Sequence, residues 1–198
     1  MQVFLPLPSV INSLKCLDDL RLRKQLIEIH TICKINTDNN DGAWAHHPAT
    51  LKVKKYPEFC LYYGFYNVKE LQERGVDVSD DYINYFDNQP ELKSDHYPTW
   101  FGLDTYHSSH RSKLLYKGRV DAVCYAIKKF LKLQSINKWL ISIGFNEKPM
   151  LTPAETRSLE NFAFDNNLQI PYNHYKQFNW GENDSGETGY FWPTKHGY

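Results

Sequence analysis

Glu28 is the residue whose type and neighbours most directly suggest chemistry. Arg21, Lys24 and Glu28 recur at offsets 0, +3 and +7, so on a helix they share one stripe, a carboxylate flanked by cations. A half-buried carboxylate in that company can serve as general acid, general base or stabiliser of a developing cation. The plainer alternative is a surface ion pair between Glu28 and Lys24. Histidines come next. His46, His47, His107 and His110 together with Glu28 would offer imidazole and carboxylate donors suited to zinc or iron. Their spacing matches no metal-ligand motif, and HxxH at 107–110 is a short pattern, so neither a metal nor a cofactor is expected.

Charge is segregated along a chain whose formal net charge is zero. Residues 107–132 carry Arg111, Lys113, Lys117, Arg119, Lys128, Lys129 and Lys132 against Asp121 alone, while residues 77–104 carry seven acidic side chains against Lys93. One face can thus attract phosphates while another repels them; ordinary solvated surfaces are the alternative.

These residues need helices to position them. Leu22, Leu26, Ile29 and Cys33 keep helical spacing and predict a helix over 17–35 that also carries Glu28. A short helical start follows Ser9, and the Asn- and Asp-rich 36–42 segment ends the long helix. A second helix is predicted from Pro57 to Arg74 with Gly75 as its C-cap residue. A third is predicted over 112–134, and a fourth over 154–166, with Thr152 as N-cap and Pro153 at the first helical position. Residues 76–106 read as an acidic, aromatic loop region with one short helix, and the tail from Pro171 is aromatic and turn-rich. No repeat, heptad or sustained β-alternation is present, so the fold class is mainly α.

The 198 residues suit one compact domain with a sufficient core. With 14 Tyr, 11 Phe and 5 Trp the chain is rich in side chains that line pockets or stack. Four well-separated cysteines, an N-terminus without a basic signal region and no run of about 20 apolar residues predict a soluble cytoplasmic protein with no membrane partner.

Five segments carry a resemblance: FLPLPSVINSLKCLDDLRLRKQLIE (4–28), WAHHPAT (44–50), YYGFYNVKELQERG (62–75), HSSHRSKLL (107–115) and GYFWP (189–193). In this order they resemble the longer bacterial and phage branch of the pyrimidine-dimer DNA glycosylase (endonuclease V)-like family. That branch has an LDxxRLxKQxxE helix, a WxNHPA segment, SHRSxLL and a terminal YxWP. The resemblance implies an all-α glycosylase domain over 1–198, with 116–167 a helical insertion relative to the compact pattern and an aromatic C-terminal tail. It implies a monomer, in the host cytoplasm if phage-encoded, that binds double-stranded DNA and excises a damaged or modified base by base flipping.

Residue by residue, the resemblance makes Glu28 the catalytic carboxylate, working with the chain's own amine at Met1 or Gln2. It assigns substrate or DNA contacts to Arg21, Lys24, Gln25, His47, His110, Arg111, Ser112, Lys113 and Trp192. Gln2 is bulkier than the small residue bared by Met removal in the phage dimer-specific enzyme, so abasic-site lyase chemistry and a monofunctional glycosylase both stay open. His46 stands where the family pattern commonly has Asn. An enzyme acting on a modified nucleotide or a hypermodified phage DNA base, and a non-catalytic nucleic-acid binder of the same fold, are the alternatives.

Overall fold

The computed structural model describes residues 2–38, 44–88, 90–145, 150–187 and 189–198. Among them the secondary structure is helical, with no strand. The chain forms two compact units, one built from Met1–His110 with Tyr190–Tyr198, the other from Arg111–Gly189.

In the first unit an extended N-terminal strap leads to α1 (Val10–Cys16), whose Ser9 side chain accepts from the Asn12 N–H as an N-cap. The next helix, α2 (Asp19–Asp38), buries Leu22, Leu26, Ile29 and Cys33, the stripe its spacing predicts. After α3 (Pro48–Leu51), a single turn capped by His47, α4 (Pro57–Glu73) packs on both α1 and α2. Two close approaches define that packing. Buried Asn67 lies against the α2 backbone, with its amide nitrogen 3.2 Å from the Leu22 carbonyl and its amide oxygen 3.2 Å from the Leu26 N–H. The ring of Phe86 lies where a Cβ on Gly64 would be. Arg74 then ties α4 back to α1. Its guanidinium donates to the Leu17 and Lys15 carbonyls at 2.7 and 3.1 Å, filling acceptors that a helix C-terminus leaves open, and it pairs with Asp19 and Glu70. Gly75 takes the left-handed φ of +68° expected of the residue that ends α4.

The short helix expected in the acidic region is α5 (Asp80–Tyr85), and a 3-10 turn follows at Ser94–His96. The long helix α6 (Asp104–Phe130) starts eight residues before the predicted Ser112, two residues after Gly102, whose φ is +95°. HxxH therefore sits inside a helix rather than before one.

The second unit holds the rest of α6, then α7 (Ile136–Ser142), which sequence reading did not separate from the surrounding chain, and α8 (Pro153–Asp165). Thr152 caps α8 with Glu155 in a reciprocal capping box, as its sequence suggests. Val123, Ile127, Leu140, Leu159 and Ala163 form its core, with Trp139 and Phe162 packed against them. Gly118 of α6 admits Asn173, which donates to the Leu115 carbonyl at 2.7 Å and caps the Tyr175 N–H at 3.0 Å. All four cysteines are free thiols, and among the described residues no helix is long and apolar enough to cross a membrane.

Candidate active site

Helix α2 presents Glu28 to the strap that precedes α1. The Gln2 backbone N–H donates to Glu28 Oε2 at 2.8 Å, and Gln25 Nε2 donates to the same oxygen at 3.2 Å. Among the described residues Glu28 makes no ion pair with Lys24, which is exposed, so the surface-pair alternative does not hold in the structure. The carboxyl group is half-buried beside neutral donors, the arrangement in which it can answer a cation that forms next to it.

Gln25 organises the strap. It is buried, its Oε1 accepts from the Phe4 N–H (2.6 Å) and the Tyr63 hydroxyl (3.1 Å), and its Nε2 donates to the Gln2 carbonyl (2.7 Å). One side chain of α2 thus reads the backbone of residues 2–4 as a neighbouring strand would. From α6, the HxxH pair does the same for the next residue. His107 Nδ1–H donates to the Leu5 carbonyl at 2.7 Å, its Nε2 accepting from the Gly102 N–H, and His110 Nδ1 accepts from the Leu5 N–H at 2.8 Å. The pair clamps the backbone of the strap. Among the described residues no three His, Cys, Asp or Glu side chains come together as a metal site.

Lys52, at the end of α3, is buried beside this strap. Its Nζ lies 2.8 Å from the Gln2 side-chain amide and 2.6 Å from the Tyr106 hydroxyl, and the Trp100 indole N–H donates to the Lys52 carbonyl. Burial brings the Lys52 pKa down to about 7, with Cys60 and Glu28 opposing the shift. Burial likewise pushes the Tyr190 phenol well up, and the Glu28 charge adds to that effect. Tyr190 packs against Phe4, His110 and Trp192 at ring separations of 6.2, 5.7 and 5.5 Å. Trp192 in turn meets His47 edge-on at 6.0 Å. His47 Nδ1 accepts from the Ala49 N–H as the cap of α3, and burial lowers its pKa. Trp44, half-exposed, tilts against the same imidazole.

The first unit therefore brings together Gln2, Gln25, Glu28, His47, His110 and Trp192 of the sequence-predicted residues. Arg21 is half-buried in an ion pair with Asp18 at 2.9 Å. His46, the departure from the family pattern, is exposed and outside the network. Met1 lies outside the described residues. Arg111, Ser112 and Lys113 belong to the second unit. There Arg111 Nε donates to Glu182 Oε1 at 2.7 Å, Lys113 donates to the Gly186 carbonyl at 3.1 Å, and Ser112 is buried. Sequence reading did not single out Lys52, Tyr63, Trp100, Tyr106 or Tyr190. Only Tyr190 carried a signal, as the tyrosine of the terminal YxWP.

An all-α chain with a helix-borne glutamate against its own N-terminal strap is the class that fold and site define. The family model described as pyrimidine dimer DNA glycosylase matches residues 1–84, which include Gln2, Gln25, Glu28, His47 and Lys52. That match supports the resemblance to the endonuclease V-like glycosylases read from the five motifs. No curated protein and no solved structure gives a significant match.

Proposed function

We propose that the protein is a DNA N-glycosylase that removes a damaged or modified base from duplex DNA, with Glu28 as its catalytic carboxylate. The observation that carries this reading is the 2.8 Å contact between Glu28 and the Gln2 backbone nitrogen, within the segment that matches the glycosylase family. Breaking the bond between the base and C1′ leaves positive charge on the sugar, and a carboxylate already fixed by two neutral donors stabilises it without reorganising. The base departs with the bonding electron pair and gains a proton. In a hydrolytic cycle, a water oxygen bonds to C1′ and passes its proton to Glu28.

The chain's own nitrogen is the other candidate nucleophile. Removal of Met1 would make the Gln2 nitrogen a primary amine beside Glu28, and a Schiff base at an abasic C1′ then leads to strand cleavage. Retention of Met1, which the bulk of Gln2 favours, makes that nitrogen an unreactive amide, and the amine of Met1 and the hydrolytic route are then the candidates. Trp192, Tyr190 and the half-exposed Trp44 supply aromatic surface for an extruded base, since glycosylases must take their target out of the stack. Arg21, Lys24, His47, His110, Arg111, Ser112 and Lys113 remain the proposed contacts to substrate and backbone. Of these, Arg111 is already paired with Glu182 through Nε.

A panel of duplexes carrying cyclobutane dimers, alkylated, deaminated and glycosylated bases tests the reading, assayed for base release and for nicking. Release from one member is expected. Binding without release from any member would instead favour a non-catalytic binder. Borohydride trapping on abasic duplex, with mass mapping of the adduct, separates the two nucleophiles.

A further inference from the structure

The two ring nitrogens of His110 set a condition that reaches Lys52. The Leu5 backbone N–H is a donor in every state and lies 2.8 Å from Nδ1, so Nδ1 carries no proton. Burial first, then Lys52 and His107, keep this imidazole neutral, and its single proton must be on Nε2. Nε2 is 3.1 Å from the Gln2 side-chain nitrogen, and the Gln2 side-chain oxygen is 2.8 Å from Lys52 Nζ. The two ends of an amide are assigned from their partners. If the oxygen faces Lys52, the NH2 group faces Nε2–H, donor against donor. If the oxygen faces His110, the NH2 group faces Nζ, which must then offer a lone pair. An ammonium has none; a neutral amine has one.

We propose that Lys52 is a proton-linked positioning residue: as a neutral amine it accepts from the Gln2 side chain, completes a chain from His110 through Gln2 to Tyr106, and so keeps His110 Nδ1 on the Leu5 N–H of the strap that brings the Gln2 N–H to Glu28. The Lys52 amine in turn donates to the Tyr106 hydroxyl at 2.6 Å. Adding a proton to Nζ reverses the chain. The Gln2 amide turns its oxygen to Lys52, His110 must then accept at Nε2, and its own proton moves to Nδ1, where it opposes the Leu5 N–H. Residue 2 keeps both side-chain partners with the bonds reversed, while the strap loses the His110 acceptor at the Leu5 N–H.

The surroundings place the two states within reach of each other. Burial disfavours the ammonium and brings its titration to about pH 7. The rings of Trp100, Tyr106 and Trp192, with Nζ 5.4, 5.0 and 5.9 Å from their centroids, receive the cation once it forms. The titratable groups acting on or with Lys52 are Glu28 from α2, Cys60 from α4, His47 before α3, and Tyr106 and His110 from α6. Glu28 and Cys60 favour the charged form. The consequence for base release rests on the glycosylase reading above, whereas the protonation state and the hold on Gln2 stand apart from it.

Nuclear magnetic resonance on the intact protein, uniformly labelled with nitrogen-15 and carbon-13, tests the proposal between pH 5.5 and 9.5. The Lys52 side chain is expected to titrate near pH 7. Above pH 8 the nitrogen shifts of His110 should report a proton on Nε2, and the Gln2 backbone N–H resonance should move with the Lys52 midpoint, a movement that Lys52→Met abolishes. Denaturant unfolding is a second measure. Between pH 7 and about 10 the unfolded chain holds one proton more than the folded one at this lysine, so the folding equilibrium of the parent should rise about tenfold per pH unit, and Lys52→Met should remove that rise. If base release is found, the parent should lose it below pH 7, Lys52→Met should lack that acid limb, and Lys52→Arg, charged throughout, should be weak at every pH. A Lys52 still charged at pH 9, a His110 proton on Nδ1, or a Gln2 resonance indifferent to the Lys52 titration would overturn the proposal. Absence of base release from every duplex would count against the glycosylase reading and leave these three readouts to decide the role of Lys52.

Discussion

Around Glu28 the first unit sets a carboxylate against neutral donors, a backbone N–H and an amide, whereas in the second unit the cations of α6 meet oxygens of their own chain. Arg111 pairs with Glu182, Arg119 with Glu160 and Asp184, and Lys113 with the Gly186 carbonyl. The first arrangement sets a carboxyl group where a cation can develop; the second uses Arg111, Lys113 and Arg119 to hold the 182–186 segment. A run of like charge in a sequence thus divides, once folded, into structural cations and available ones. Lys128, Lys129 and Lys132, exposed at and beyond the end of α6, are of the available kind.

Apart from the glutamate itself, the largest effect is expected at Gln25. Gln25→Leu leaves the Phe4 N–H and the Gln2 carbonyl without their buried side-chain partner, while the Tyr63 hydroxyl keeps the Phe4 carbonyl. With roughly 1–3 kcal/mol for each buried group left unpaired, unfolding by urea should show a loss of about 3 kcal/mol or more. An unchanged midpoint would mean that the strap does not depend on α2.

Arg111→Met is next. Both side chains of the Arg111–Glu182 pair are largely buried, at 13% and 14% exposed, and removing one partner of such a pair costs about 3 kcal/mol. Differential scanning calorimetry should show the lowered transition, and a variant as stable as its parent would place Arg111 among the available cations instead. Thr152→Ala removes one half of a capping box on α8 and should cost about 1 kcal/mol in the same experiment.

The smallest stability effects, and the most informative for binding, concern salt. Lys128→Ala and Lys129→Ala should leave folding within about 0.5 kcal/mol of the parent, yet each should flatten the salt dependence of duplex affinity by about one unit of slope. Glu182→Gln frees Arg111 for a phosphate and should steepen that dependence by about one unit. Titrations at four salt concentrations measure both, and a slope indifferent to Glu182→Gln would remove Arg111 from the proposed DNA contacts.

Much of this molecule is legible in its sequence where the signal is local. The period of Leu22, Leu26, Ile29 and Cys33 gives α2 and orients Glu28, Thr152 and Pro153 mark the start of α8, and Gly75 marks the end of α4. Spacing failed where partners are distant. Lys52 meets Gln2 and Tyr106 across separations of 50 and 54 residues, and His110 meets Gln2 across 108. Gln25 and His110, assigned substrate contacts from the motifs, also hydrogen-bond the strap from buried positions, a part that residue type alone does not reveal. The α6 cations were visible as charge, but their partners lie 41 to 73 residues away.

The central claim is that Glu28, fixed by the Gln2 N–H, performs the chemical step. Single-turnover base release by the parent and by Glu28→Gln, measured side by side with affinity on the duplex that the parent processes, tests it most directly. The account predicts release slowed by about a thousandfold or more, as expected when a charge aimed at the transition state is lost, with duplex affinity within a few-fold of the parent. A Glu28→Gln variant that releases base at the parental rate would contradict it.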